Sequence, residues 1–333
     1  MNRMGKQTIT FSSAPKIRGY AAAVGKKEGD GPLRDGFDRI YEDVKLGQDS
    51  WEKAESELQK AAFSLAAEKA GLAVGDCDFI LGGDLLNQCV GTAFAQRESG
   101  VPFLGLYGAC STMAESLFLG SILVDGGYGA HVLCGASSHF CSAERQYRFP
   151  LAYGGQRPPT AQWTATAAGS VLLDRAEGAV SVTRGICGKI VDMGVKDANN
   201  MGAAMAPAAY DTLKALWEDT GTGPEDYDFV LTGDLGVVGS SLLAELFSKD
   251  GVDLSEKHLD GGVMLFDETQ DVHAGGSGCG CSAAVLCGRV LRDMAAGKYH
   301  RVIFAATGAL MSPTTVQQGE SIPGICHGLV LEA

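Results

Sequence analysis

Asp76-Cys-Asp-Phe-Ile-Leu-Gly-Gly-Asp-Leu85 and Asp226-Tyr-Asp-Phe-Val-Leu-Thr-Gly-Asp-Leu235 are two versions of one phrase. Asp78 matches Asp228, Phe79 matches Phe229, Leu81 matches Leu231, Gly83 matches Gly233 and Asp84 matches Asp234, at a constant offset of 150 residues. Each phrase is an apolar run closed by Gly-Asp, which reads as a buried strand with its exit turn. Chance likeness of two strands is the alternative, and the flanks argue against it.

Outward from the phrase, each copy is preceded by a helix with one apolar side. Residues 52–70 carry Ala54, Leu58, Ala61, Ala62, Leu65 and Ala66 on that side, and residues 205–219 carry Ala208, Ala209, Leu213, Leu216 and Trp217. Such a stripe faces a core while charged residues face water. Each copy is followed by a helix of another kind. Residues 111–124 and 282–296 are apolar on most faces, so they are expected between layers rather than at the surface. Apolar strands follow at 130–136 and 301–306. The pattern predicts an α/β chain of two duplicated βαβαβαββ halves. Two central helices lie between two mostly parallel sheets, with outer helices beyond, in five αβαβα layers. The halves are placed at 1–177 and 178–333, the first with an insertion at about 138–167.

Bulk composition narrows the function. Forty acidic residues against 27 basic ones give a net charge of −13, which argues against a broad nucleic-acid face or docking on anionic lipid by charge alone. No run approaches 18 apolar residues, so no transmembrane helix is expected, and the first residues lack a signal-peptide core. The ten cysteines form no Cys-x-x-Cys pair and read as free thiols in a reducing cytosol. A metal site from Cys279, Cys281 and His273 lacks a fourth ligand and standard spacing, so no metal is assigned.

Three places could carry chemistry. Gly108-Ala-Cys-Ser-Thr turns from a strand into the first central helix, putting Cys110 and Ser111 at its N-terminus, where unpaired N–H groups favour a thiolate. A small core cysteine is the competing reading. The matching place in the second half is Ala274-Gly-Gly-Ser-Gly-Cys, where the backbone at Gly275 and Gly276 could approach a ligand or an oxyanion, or serve close helix packing. Asp84 and Asp234 should face a common centre, with Asn87 extending the first site; ligand binding, Ca²⁺ binding and helix capping are all open to them. The third place is the insertion. It gathers His139, Arg145, Arg148, Tyr153, Gln156 and Arg157 among aromatic residues, a setting for a planar anion or for a dimer-interface loop.

At Gly83-Asp-Leu-Leu-Asn-Gln, Gly108-Ala-Cys-Ser-Thr, Ala143-Glu-Arg-Gln-Tyr-Arg, Tyr153-Gly-Gly-Gln-Arg-Pro, Met205-Ala-Pro-Ala-Ala, Ala274-Gly-Gly-Ser-Gly-Cys and Ala306-Thr-Gly-Ala-Leu-Met-Ser-Pro, the chain resembles the stage V sporulation protein AD family of endospore-forming bacteria. The resemblance spans essentially the whole chain and implies a thiolase-like fold. It further implies binding of dipicolinate (pyridine-2,6-dicarboxylate), free or as its Ca²⁺ chelate, with no other cofactor. It implies a part in moving that ligand into the forespore with membrane proteins of the same stage V sporulation A operon, from the cytoplasmic or forespore side of the inner spore membrane. A homodimer is expected because thiolase-like folds usually pair. Ala152 stands where the family often carries Glu, so a contact from that acid is not carried over, and His273 is outside the motif.

A thiolase-like acyltransferase using Cys110 as nucleophile is the alternative. Condensing thiolases need His or Asn partners for that cysteine. The expected Asn-Glu-Ala-Phe motif is replaced here by Asp234-Leu-Gly-Val-Val-Gly, and the terminal Cys-x-Gly-Gly-Gly by Ala306-Thr-Gly-Ala-Leu. The catalytic set is therefore incomplete, and a repurposed ligand pocket is the expectation.

Overall fold

A computed structural model describes residues 2–147 and 157–333. The first half runs β1 (Lys16–Gly25), α1 (Trp51–Lys69), β2 (Phe79–Gly83), α2 (Val90–Gln96), β3 (Phe103–Gly105), α3 (Thr112–Asp125), β4 (His131–Ser138), α4 (Phe140–Tyr147) and β5 (Ala167–Asp174). The second runs β6 (Val180–Ile186), α5 (Met201–Thr220), β7 (Phe229–Thr232), α6 (Gly236–Lys249), β8 (His258–Asp260), α7 (residues 279–295, with a wide π turn at Leu286–Val290), β9 (Arg301–Ala309) and β10 (Gly324–Glu332). Apart from α4, which belongs to the insertion, the two lists coincide.

The sheet orders coincide as well: β3-β2-β4-β5-β1 in one half and β8-β7-β9-β10-β6 in the other. The first three strands of each are parallel, and the fourth strand in space runs antiparallel to its neighbours. The expectation of two separate sheets needs one correction. A short connection brings β6 beside β1, and Val180 pairs with Ile17 and Ser181 with Lys16, so the two sheets join edge to edge. Gly178 makes that approach possible: its φ is +151°, and a Cβ there would lie 2.4 Å from the Ile17 carbonyl oxygen.

The repeated phrase explains itself in three dimensions. Asp78 Oδ2 accepts from the N–H groups of Ala130 (2.7 Å) and His131 (3.0 Å), pinning the entry of β4 to that of β2. Asp228 Oδ2 does the same for His300 (2.6 Å) and Arg301 (2.8 Å) at the entry of β9. The paired acids thus close orphan donors at the matching strand starts of both halves.

The helix patterns sort into layers as their apolar faces require. Helix α1 starts at Ser50, whose side chain accepts from the Lys53 N–H, and buries Ala54, Leu58, Ala62, Phe63 and Ala66 against β1, β4 and β5. Helix α5 covers β9 and β10 from the other outside. Helix α3 touches strands of both halves, as does α7, so both lie in the middle layer. Met113, Leu117, Ala283, Val285 and Leu291 are all fully buried there. Burying one Leu or Met side chain is worth about 1.5–3 kcal/mol, which is why these helices carry no polar stripe. Among the described residues no helix is long and apolar enough to cross a membrane.

Candidate functional site

The chain leaves β3, passes Gly108 and makes a 3₁₀ turn at Ala109–Ser111 before α3 begins. Ala109 takes a left-handed φ of 52°, an uncommon conformation outside glycine that a tightly packed elbow imposes. Strand β9 leans on this elbow: a Cβ on Gly308 would lie 2.6 Å from the Gly108 carbonyl oxygen. Cys110 sits at the tip with only 4% of its surface exposed.

The thiol meets the second half of the molecule. It lies beside the carboxyl group of Asp234, just past the end of β7, close enough for each to shift the other's titration. Asp234 Oδ2 also accepts from the Gly278 N–H (2.7 Å) and lies 3.4 Å from the Ser277 hydroxyl, while Oδ1 is 3.3 Å from the Thr307 hydroxyl. Burial pushes the Asp234 carboxyl up to about 7. Burial, then the charge of Asp234, then Cys279, drive the Cys110 thiol well above its ordinary value of 9. The expected thiolate at a helix N-terminus is thereby overturned. Desolvation with an acidic neighbour outweighs the pull of the helix N-terminus.

A cavity of about 40 Å³ adjoins this pair, lined by Leu85, Cys110, Ala143, Tyr147, Met201 and Met311 among others. Helix α4 roofs it, and the Tyr147 hydroxyl is tied down by donating to the Leu85 carbonyl at 2.6 Å. That space suits a few water molecules.

A much larger groove of about 740 Å³ lies at the N-terminal end of α4, between Phe140 and the turn after β1. Phe140 and Trp163 stack in its wall with ring centroids 3.8 Å apart and planes within 10°. Lys27 Nζ lies 4.3 Å from the Trp163 ring centroid and the Arg157 guanidinium 4.8 Å.

A family model described as "Stage V sporulation protein AD (SpoVAD)" matches residues 5–332. The chain is 44% identical over 332 residues to stage V sporulation protein AD of Bacillus subtilis (strain 168), covering 100% of this chain and 98% of that protein. The chain belongs to the stage V sporulation protein AD family. Among solved structures it is similar to 3-oxoacyl-[acyl-carrier-protein] synthase III from Aquifex aeolicus VF5, with TM-score 0.59, 14% identity, 96% of this chain and 100% of that one covered. It is also similar to human mitochondrial 3-ketoacyl-CoA thiolase in complex with CoA, with TM-score 0.60, 10% identity and coverage of 96% and 98%. At such identities the likeness shows the thiolase-like fold alone.

Within that fold the expected site residues scatter. Asp84 is wholly buried and binds its own loop through the Leu86 N–H (2.9 Å) and the Thr92 N–H and hydroxyl (both 2.7 Å). Asn87 lies near the surface, its Oδ1 3.3 Å from the Tyr107 hydroxyl. Ser111 turns its hydroxyl back to the Gly108 carbonyl (2.7 Å). His139 is buried with both ring nitrogens on the backbone, at Val44 O (2.8 Å) and the Cys141 N–H (3.2 Å), so it is a structural neutral histidine. Burial lowers its pKa accordingly.

The glycine loop packs instead of offering donors. Trp163 N–H donates to the Gly275 carbonyl, Gln162 Nε2 to that of Gly276, and the Gly278 N–H is taken by Asp234. A Cβ at Gly280 would stand 2.1 Å from the Ala167 carbonyl oxygen. Nor do the arginines of the insertion form one cluster. Arg145 pairs with Glu52 and covers the Trp51 ring, while Arg157 pairs with Asp271 at 3.2 Å. Arg148, Tyr153 and Gln156 lie outside the described residues. Of the three residues weighed as metal ligands, His273 spends its nitrogens on Pro158 O and Asp271, and the Cys279 thiol donates to Ser137 O. Tyr147 could be read only as one of the insertion's aromatic residues, and Lys27 was beyond sequence reasoning, since only the fold brings it to the larger groove.

Proposed function

We propose that this chain binds dipicolinate, free or as its Ca²⁺ chelate, and supports its uptake into the forespore. In this reading it acts as a homodimeric subunit on the cytoplasmic or forespore face of the inner spore membrane, beside membrane proteins of the stage V sporulation A operon. Family membership supports the sporulation role. The observation that carries the choice of binder over enzyme is Asp234 against Cys110. Acyl transfer starts from a thiolate. With the Asp234 carboxyl near 7 and burial holding the thiol well above its ordinary value, that acid is a poor base for this thiol. Among the described residues the groups that shift the thiol most are Asp234, Cys279 and the Gly278 N–H. Ca²⁺ enters this reading on the ligand, whose two carboxylates and ring nitrogen coordinate it. Among the described residues no group of three or more His, Cys, Asp or Glu could hold a metal.

Isothermal titration of the intact protein with dipicolinate, with and without equimolar Ca²⁺, tests the proposal. Saturable binding and a rise in melting temperature are expected, and absence of both at millimolar ligand overturns it. Incubation with a panel of acyl-CoA esters should leave the intact mass unchanged; an acyl adduct lost in Cys110→Ser would restore the acyltransferase reading.

A further inference from the structure

We propose that the groove between Phe140 and the turn after β1 binds a second kind of ligand, an α-amino acid in its zwitterionic form, with the ammonium on Glu28 and the carboxylate on Lys27. This site is additional to dipicolinate binding and does not rest on it. At about 740 Å³ the groove falls within the range of about 300–1,000 Å³ usual for small-molecule sites.

The charges around the groove answer one another except at two neighbouring residues. On the rim, Lys26 pairs with Asp30 at 3.4 Å and with Glu42 at 2.9 Å. Asp43 accepts from the N–H groups of Lys45 (3.1 Å) and Gly47 (2.9 Å). Arg157, nearby, is paired with Asp271. Lys27 forms no ion pair among the described residues: its ammonium donates to the Gln270 carbonyl and lies 4.3 Å from the Trp163 ring centroid. An ammonium has three protons to give, so donors remain for an anion.

Glu28 is the opposite case. It is 1% exposed, its Oε1 accepts from the Thr166 N–H at 2.9 Å, and its Oε2 has no hydrogen-bond partner. A buried acceptor left unmatched in the wall of a groove calls for a donor from a ligand. Gly25, also in that wall, keeps the space beside Oε2 free. Its φ of −78° suits any residue, so the backbone does not require glycine, but a Cβ there would lie 2.9 Å from Oε2. Burial raises the Glu28 carboxyl to about 7 and, with Arg157, lowers the Lys27 ammonium. A ligand ammonium at Oε2 and a ligand carboxylate at Lys27 favour the charged form of each, through charge-assisted hydrogen bonds. An α-amino acid carries those two charges on adjacent atoms, whereas a plain cation or anion fills one place and leaves the other. Val44 and Phe140 line the same groove and offer contact to an apolar side chain.

Titration calorimetry of the intact protein with glycine, L-leucine and L-phenylalanine tests this, followed by the methyl ester and the N-acetyl derivative of whichever binds tightest. The ester keeps only the ammonium and the N-acetyl compound only the carboxylate. Saturable binding is expected, with each blocked derivative about tenfold weaker or more, as loss of one charge-assisted contact implies. Glu28→Gln should bring the free amino acid to within about twofold of its N-acetyl derivative, and Lys27→Gln to within about twofold of its methyl ester. Both variants are checked for an unchanged melting temperature, and if either is destabilised the wild-type series decides alone. Absence of binding by all three amino acids at millimolar concentration overturns the proposal. A blocked derivative that matches its parent on the wild type overturns it too, since the groove would then be reading one charge only.

Discussion

Asp84 and Asp234 occupy the same place in the two halves, and they do different work. Both are wholly buried at the exit of equivalent strands. Asp84 ties its own loop and lies beside Glu55, which its charge pushes further up after burial. In the second half the loop is tied by another acid. Asp260 accepts from the N–H groups of Leu235 (2.8 Å), Gly236 (2.9 Å) and Val263 (3.1 Å) and from the Thr232 hydroxyl (2.7 Å). Asp234 is released to face Gly278 and Cys110. Once a structural task moves to a neighbouring strand in one copy, the equivalent acid is free to enter a site.

The largest effect that would break this comparison is on stability. Asp260→Ala orphans the buried N–H groups of Leu235 and Gly236 and the part-buried one of Val263, and should cost about 3 kcal/mol or more. Asp84→Ala orphans two N–H groups and a hydroxyl but also removes the charge beside Glu55, so about 1–2 kcal/mol is expected. Urea unfolding of both variants checks the order. An Asp84→Ala cost equal to or above that of Asp260→Ala would mean the loop-tying task had not moved.

A smaller, pH-dependent effect sharpens the role of Asp234. Its folded carboxyl is raised to about 7 from an ordinary value of 3.8, so the native state holds a proton that the unfolded chain has lost. The residue's contribution to stability therefore falls as pH rises from about 4 to about 7, then levels off. Asn carries no such loss. The stability of Asp234→Asn relative to wild type should rise with pH across that window, by at most about 1.4 kcal/mol per pH unit. Taking the difference cancels the buried histidines, His258 and His327, which titrate the opposite way in both proteins. Unfolding free energies at pH 5 and 7.5 measure it; a difference that stays flat would remove the desolvated acid from the site.

The halves were legible in the sequence because their burial is written in periodicity. Continuous apolar strands and two kinds of helix repeat with the paired aspartates, and the element order follows. Boundaries were less legible. Helix α5 begins at Met201 because Asn200 caps the Ala203 N–H, ahead of the apolar stripe that marks its middle. The elbow at Cys110 could be read because strand, glycine and helix adjoin in the chain. Its electrostatics could not, since they depend on Asp234 arriving from the other half. Arg145 and Arg157 look like one basic cluster in the sequence. Helix α4 turns the first toward Glu52 on α1, while the second docks on Trp163. Lys27 carries no local signal at all, because its neighbours Trp163 and Gln270 are distant in the chain.

The smallest expected effect bears directly on whether Cys110 kept any inherited chemistry. With its pKa above 9, less than about 3% of the thiol is ionised at pH 7.5, and it is 4% exposed. Cys187 is exposed and serves as an internal reference in the same molecule. During a timed iodoacetamide reaction followed by peptide mass spectrometry, Cys187 should be modified well before Cys110. Asp234→Asn removes a negative neighbour but leaves burial, the larger cause, in place, so Cys110 should react only a few-fold faster. A Cys110 that outpaces Cys187 in the wild type would be an activated nucleophile. Asp234 would then be acting as its base, and the two buried aspartates would differ because one kept a catalytic task rather than because one lost a structural one.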